Sequence, residues 1–217
     1  MRKGFFFWSF LLPLLFFPSH SGAQNQGDVR AGADALVEYR NRNYESAVTV
    51  CKNELAVNPS NLESHVVICW SLISLGRYEE ALNYARQGRI LSRYDPRIIE
   101  ILGEISYYQG RNSEGLDYFQ EYINLAPEGG RIDMVYYFIG EIYILLGRFR
   151  HADIALSTAV HYMPGNAAWW TRLAYARENA GELAEAVHAY KQALVLNAQY
   201  TDARRGLERT RQAMALR

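Results

Sequence analysis

The sequence predicts an all-α solenoid of about five helix-turn-helix repeats closed by a C-terminal capping helix, and three observations carry that prediction. A short motif returns with a period near 34 residues, small residues recur at two fixed places in each period, and helix stop signals come at a third. The motif reads Arg42-Asn43-Tyr44, Gly76-Arg77-Tyr78, Gly110-Arg111-Asn112, Gly147-Arg148-Phe149 and Gly181-Glu182-Leu183, with starting positions that step by 34, 34, 37 and 34 residues. The repeats are therefore placed at about 28–61, 62–95, 96–132, 133–166 and 167–199, with the capping helix over 200–216.

The chain opens differently. Arg2 and Lys3 precede an apolar run from Phe5 to Phe17, and Ser21, Gly22 and Ala23 stand before Gln24. That order reads as a signal peptide over 1–23. The run is 13 residues long, whereas a helix needs roughly 20 apolar residues to span a bilayer; an uncleaved anchor is the alternative. Cleavage implies a mature domain over 24–217, periplasmic or extracellular, whose formal charge falls from 0 to −2 with the loss of Arg2 and Lys3. No later apolar stretch is long enough to hold the mature chain in a membrane.

Each unit reads as two amphipathic helices joined by a tight turn. Glycine at the turn tolerates the left-handed conformation that ends a helix. Ala47, Ala81, Gly115, Ala152 and Ala186 recur at one offset and let the second helix lie close to the first. The first helix offers matching gaps at Ala35, Cys69, Gly103, Gly140 and Ala174. Ile68, Leu102, Ile139 and Leu173 precede four of these gaps, while Asp34 breaks the pattern where the array begins. Second helices stop before Pro59, Pro127 and Pro164, since proline cannot continue them. At the end of unit two, Asp95 serves as N-cap and Pro96 as first residue of the next helix.

Three features fall outside the regular pattern. Pro127 to Asp133 carries three residues more than the period requires, so Gly129-Gly130 is either a hinge or a surface loop. The arginines of 200–217 belong to a solvated cap or to a basic patch. Cys51 and Cys69 fit no zinc or redox spacing. They read as two small buried residues, with a disulfide between the second helix of unit one and the first helix of unit two as the other possibility.

These residues resemble the tetratricopeptide repeat family, whose 34-residue period carries Trp, Leu-Gly, Tyr, Ala, Phe, Ala and Pro at fixed offsets. Unit five is similar at Trp170, Leu173, Ala186, Tyr190 and Ala193, and unit four at Ile139, Gly140, Tyr143, Ala152, Ala159 and Pro164. Unit three matches at Leu102, Gly103, Phe119 and Pro127 but has Gly115 for Ala, and unit five has Ala198 for Pro. The resemblance implies a right-handed superhelix whose first helices line an inner groove that holds a peptide or partner protein. Carried over by position, it selects Trp70, Glu100, Glu104, Tyr107, Tyr137, Glu141, Tyr175, Glu178 and Asn179 as groove residues. Family members that grip acidic chaperone tails carry Lys and Asn where this chain has Gly32, Leu36 and Val67, so that specialised function is not implied.

Aromatic rings beside carboxylates suit a partner that is basic or apolar in its contacting segment. Glu100 and Glu104, four apart on one helix, repel by about 0.2 to 0.5 kcal/mol, which a cationic partner would relieve. Lys+Arg and Asp+Glu each number 23, which leaves no global field for nucleic acid. His65, His151, His161 and His188 stand in no metal-ligand or nucleophile motif, so no catalytic residue, metal or cofactor is expected. These readings imply a non-catalytic interaction module of the cell envelope. The alternative is a fixed structural subunit of an envelope or secretion complex, bound through its convex face or last helix. Repeat arrays of one fold serve many functions, and neither partner identity nor oligomeric state is legible.

Overall fold

The computed structural model describes residues 34–216; the signal peptide read over 1–23 and the start of unit one lie outside the described residues. Five helix pairs come in order: α1 (Ala35–Arg40) and α2 (Tyr44–Val57), α3 (Leu62–Ser74) and α4 (Tyr78–Leu91), α5 (Pro96–Tyr108) and α6 (Asn112–Leu125), α7 (Ile132–Leu145) and α8 (Phe149–Tyr162), α9 (Ala167–Ala180) and α10 (Leu183–Leu196). A last helix, α11 (Thr201–Ala215), completes the array. Among the described residues there is no strand, and no helix is long and apolar enough to cross a membrane. The all-α solenoid expected from the period is the architecture found.

The turn inside each pair explains the glycines. Gly76, Gly110, Gly147 and Gly181 have φ of 72°, 71°, 66° and 87°, and bonds such as Gly76 N to Ile73 O and Arg77 N to Leu72 O close the preceding helix. Unit one makes the same turn with Arg42, at φ 63°. An L-residue in that region costs about 1–2 kcal/mol. Arg42→Gly is therefore expected to raise stability by about 1 kcal/mol in urea melts, and an unchanged or lower midpoint contradicts that reading.

Packing within a pair reflects the small-residue gaps. Cys69, Gly103, Gly140 and Ala174 are buried in the first helices, and the residues 16 positions later, Ala85, Phe119, Leu156 and Tyr190, are buried in the second helices. A Cβ added to Gly103 would stand 2.6 Å from Phe119 Cε1, and one on Gly140 would stand 2.5 Å from Leu156 Cγ. The two glycines are thus sockets for Phe119 and Leu156.

Side chains set most first-helix starts. Asp34 Oδ1 accepts from Leu36 N and Val37 N, which accounts for the acidic residue that interrupts the apolar pattern. Asp95 Oδ1 accepts from Arg97 N, with Pro96 as the first residue of α5. Where unit five lacks proline, Asn197 Oδ1 accepts from Gln199 N at 3.0 Å and turns the chain.

Curvature is visible in which helices meet. α1, α3, α5, α7, α9 and α11 each touch the next member of that series, whereas α2, α4, α6, α8 and α10 touch none of one another. The first series forms the inner row, and the second the outer row. α11 docks on α9 and α10 through Ala203, Gly206, Leu207 and Thr210, which covers the apolar end of unit five.

The cysteines and the insertion can both be placed. Cys51 and Cys69 are free thiols in one apolar core, and Cys69 Sγ donates to Ala81 O at 3.4 Å. Burial pushes the Cys51 thiol up to about 12 and raises that of Cys69 further. The disulfide weighed from the sequence is not formed; the pair behaves as buried apolar filling. At the insertion Arg131 N donates to Tyr122 Oη at 3.2 Å, and Gly129 lies directly under the same hydroxyl. Tyr122 thus ties the loop to α6.

Candidate functional site

Each of five inner helices carries at least one half-buried large aromatic side chain, among them Tyr39, Trp70, Tyr107, Tyr137 and Tyr175. They are partly held by each other and by the core. Tyr39 and Trp70 have centroids 5.7 Å apart, Tyr137 stacks on Trp169 at 5.0 Å, and Tyr107 lies 5.1 Å from Phe138. Burial raises the Tyr39 phenol, which also feels Arg131, Glu104 and Glu100. The inner face therefore brings units one and three within electrostatic reach of one another. Trp70 Nε1 is buried and has no hydrogen-bond partner among the described residues. Asn179, at the end of α9, donates to Tyr175 O at 2.8 Å.

The carboxylates are placed differently from the expectation. Each is covered by an arginine from the next inner element. Arg131 donates through Nε and Nη2 to Glu100 Oε1, at 3.2 and 2.7 Å, and through Nη2 to Glu104 Oε2 at 3.4 Å. Arg172 grips Glu141 with two parallel bonds of 2.6 and 2.8 Å. Arg209 does the same to Glu178, with both bonds at 2.6 Å, while Tyr190 Oη donates to Glu178 Oε2. Burial alone would push the Glu178 carboxyl up, but the Arg209 and Tyr190 hydrogen bonds outweigh it and hold it below its ordinary value. The repulsion between Glu100 and Glu104 is met from within the chain by Arg131, so it does not call for a cationic partner.

Glu104 is the carboxyl left short, because Arg131 divides itself between two acids. Burial and the adjacent Glu100 push its carboxyl up to about 8, against the pull of Arg131. A proton on Glu104 supplies a donor to Glu100, whose Oε2 is otherwise unpartnered. Because the folded value lies above the unfolded one, the stabilisation is complete below the ordinary carboxylate range, near 4.5, and is lost as pH rises towards 8. Between pH 5 and pH 8 this group should cost roughly 3 kcal/mol. Urea melts of the native chain and of Glu104→Gln check it: the fall with pH should be shallower in the variant, and parallel curves contradict the assignment.

The arginine pairing is not foreseen by the sequence reading, because these arginines lie outside the repeat consensus. Their signal is the constant offset of 31 residues from Glu100, Glu141 and Glu178 to Arg131, Arg172 and Arg209. A cleft of about 720 Å³ lies off the predicted row, at the start of α7 and α9 between Gly130, Met134, Trp169 and Tyr200, and shares Arg131 with it. Among the described residues no three His, Cys, Asp or Glu side chains come together as a metal site.

The fold, though not the site, has counterparts among known proteins. The family model described as tetratricopeptide repeat matches residues 139–204, which hold the motif residues of units four and five. Over residues 139–204 the chain is similar to the tetratricopeptide repeat family. A BBSome complex member, the BBS4 homolog of Drosophila melanogaster, is 27% identical over 139 residues, 60% of this chain. The match spans 29% of that relative's length. Among solved structures, PilF of Pseudomonas aeruginosa superposes with a TM-score of 0.73 at 15% identity, over 83% of this chain and 81% of that one. YrrB, described as a tetratricopeptide repeat protein with an unusual peptide-binding site, gives a TM-score of 0.66 at 17% identity, over 77% and 84%. At these identities the two structures speak for the fold, a stack of tetratricopeptide units.

Proposed function

We propose that this protein is an exported, non-catalytic interaction module that holds a partner polypeptide along its inner face. One observation carries the reading: five successive inner helices each leave a large aromatic side chain half-exposed on the concave side, where the helix packing does not bury it. The tetratricopeptide repeat match over 139–204 supports an interaction role, and YrrB, described as having an unusual peptide-binding site, supports a peptide as the kind of partner. The signal-peptide pattern of 1–23 supports export to the periplasm or beyond. Aromatic faces of this kind bind apolar and planar groups of a partner.

Export predicts a mature protein that begins at Gln24 and fractionates outside the cytoplasm. A chain that retains Met1 to Ala23 and stays in the cytoplasmic fraction removes that part. For the face itself, Tyr107→Ala with Tyr175→Ala should cut the affinity for a crosslink-identified partner by about a hundredfold, if each ring contributes about 1.4 kcal/mol. Binding unchanged in a folded double variant contradicts the inner-face reading and favours the outer helices or α11.

A further inference from the structure

The end of unit two departs from the repeat in a way that the fold does not require. Where the other units have Leu55, Ile123, Val160 and Leu194, unit two has Arg89, and where they have Pro59, Pro127, Pro164 and Ala198 it has Arg93. Helix α4 nevertheless ends at Leu91, in phase with the other outer helices, which end at Val57, Leu125, Tyr162 and Leu196. The departures gather on the surface. Ile90 is 84% exposed, Tyr94 62% and Leu91 42%, and Arg89, Ile90 and Arg93 line one hollow of about 340 Å³. The Arg93 guanidinium lies over the Tyr94 ring, 5.7 Å from its centroid. Arg86 is exposed one turn before Ile90 on the same helix face. The four charged groups differ in what they have left to give. Arg89 Nη2 donates to both oxygens of Glu121, at 2.7 and 2.9 Å, and Asp95 is held by Arg97 at 2.8 Å. Arg86 and Arg93 make no hydrogen bond or ion pair among the described residues, so two uncompensated cations flank two aliphatic side chains and a phenol.

We infer that the end of α4 and the turn after it form a docking surface for an anionic lipid bilayer, with Ile90, Leu91 and Tyr94 entering the interfacial layer and Arg86 and Arg93 meeting lipid phosphates. Aliphatic tips, an amphipathic ring and long cationic side chains are the groups that settle between headgroups and acyl chains. Charge and shape together choose this occupant. The positive charge left over on the patch is the complement of an anionic headgroup layer. The apolar side chains protrude from the outer row and enclose nothing, which suits a bilayer that they can enter, whereas a peptide needs a groove to lie in. The inference is independent of the inner-face reading, because α4 belongs to the outer row and the patch does not use the concave side.

The test is cosedimentation of the chain from Gln24 to Arg217, which holds the whole array, with vesicles of phosphatidylcholine and with vesicles of equal parts phosphatidylcholine and phosphatidylglycerol. Binding to the anionic vesicles should be at least about tenfold tighter and should weaken as salt rises. Arg86→Gln with Arg93→Gln should remove about ten- to twentyfold of the anionic binding, near fivefold for each cation. Ile90→Ser with Tyr94→Ser should lower it about tenfold. All four side chains are exposed, so both variants should keep the native urea midpoint. A polarity-sensitive fluorophore reads the contact without those variants: attached through Tyr94→Cys it should shift to the blue on anionic vesicles, and through Ile154→Cys, on α8, it should not. Cys51 and Cys69 are buried and stay unlabelled. Equal binding to the two vesicle types, binding to neither, or a shift at Ile154 and not at Tyr94 overturns the inference. Release of the bound chain by inorganic phosphate at constant ionic strength overturns it too, in favour of a free-anion site. So does in-cell photo-crosslinking from Ile90 that yields a protein and no lipid, and none of these outcomes touches the inner-face reading.

Discussion

Replacing Arg131 with alanine should lower the stability of the folded chain by about 3 kcal/mol at pH 7, since removing one partner of a buried ion pair strands the other. Glu100 is fully buried, and both hydrogen bonds to its Oε1 come from that guanidinium. Glu104, next to it, favours its protonated form through burial and can offer Glu100 a hydrogen bond but no countercharge. Removing Glu100 as well should restore part of the loss: Arg131→Ala with Glu100→Gln should lie about 1–2 kcal/mol above Arg131→Ala alone. Urea melts measure both. A loss below about 1 kcal/mol for the single variant means that the cluster is solvated and that its arginine is ornamental to folding.

The second large effect is at the socket of unit three. Phe119 fills a site with no exposure against Gly103, so Phe119→Ala should cost about 3–5 kcal/mol. Gly103→Ala should cost about 1–3 kcal/mol by forcing its methyl into the ring. The double variant should be more stable than the sum of the two losses, because the added methyl enters the space that the ring vacates. Strict additivity in the double-mutant cycle contradicts the socket.

Most of the fold was legible because a repeat states each packing rule five times. Gly76, Gly110, Gly147 and Gly181 mark turns that require positive φ, and Gly103 with Phe119 or Gly140 with Leu156 are complementary volumes at a fixed separation. Arg42 was legible as a turn only because the others set the phase, since nothing local in Arg42-Asn43 asks for a left-handed residue. The acidic residues of the candidate surface were legible as residues, but their cover by Arg131, Arg172 and Arg209 was not. Which atoms of Glu141 or Glu178 reach solvent depends on how far the next inner helix is displaced, and that displacement is a property of the superhelix. Arg131 was least visible of all, because it stands in the insertion, out of phase with every other unit.

The inner-face assignment is tested most directly by in-cell photo-crosslinking from two positions of the same chain, one at Tyr107 on α5 and one at Ile154 on the outer helix α8, which is 70% exposed. A partner polypeptide attached from Tyr107 and absent from Ile154 is the expected result. The same partner attached from Ile154 and not from Tyr107 contradicts it.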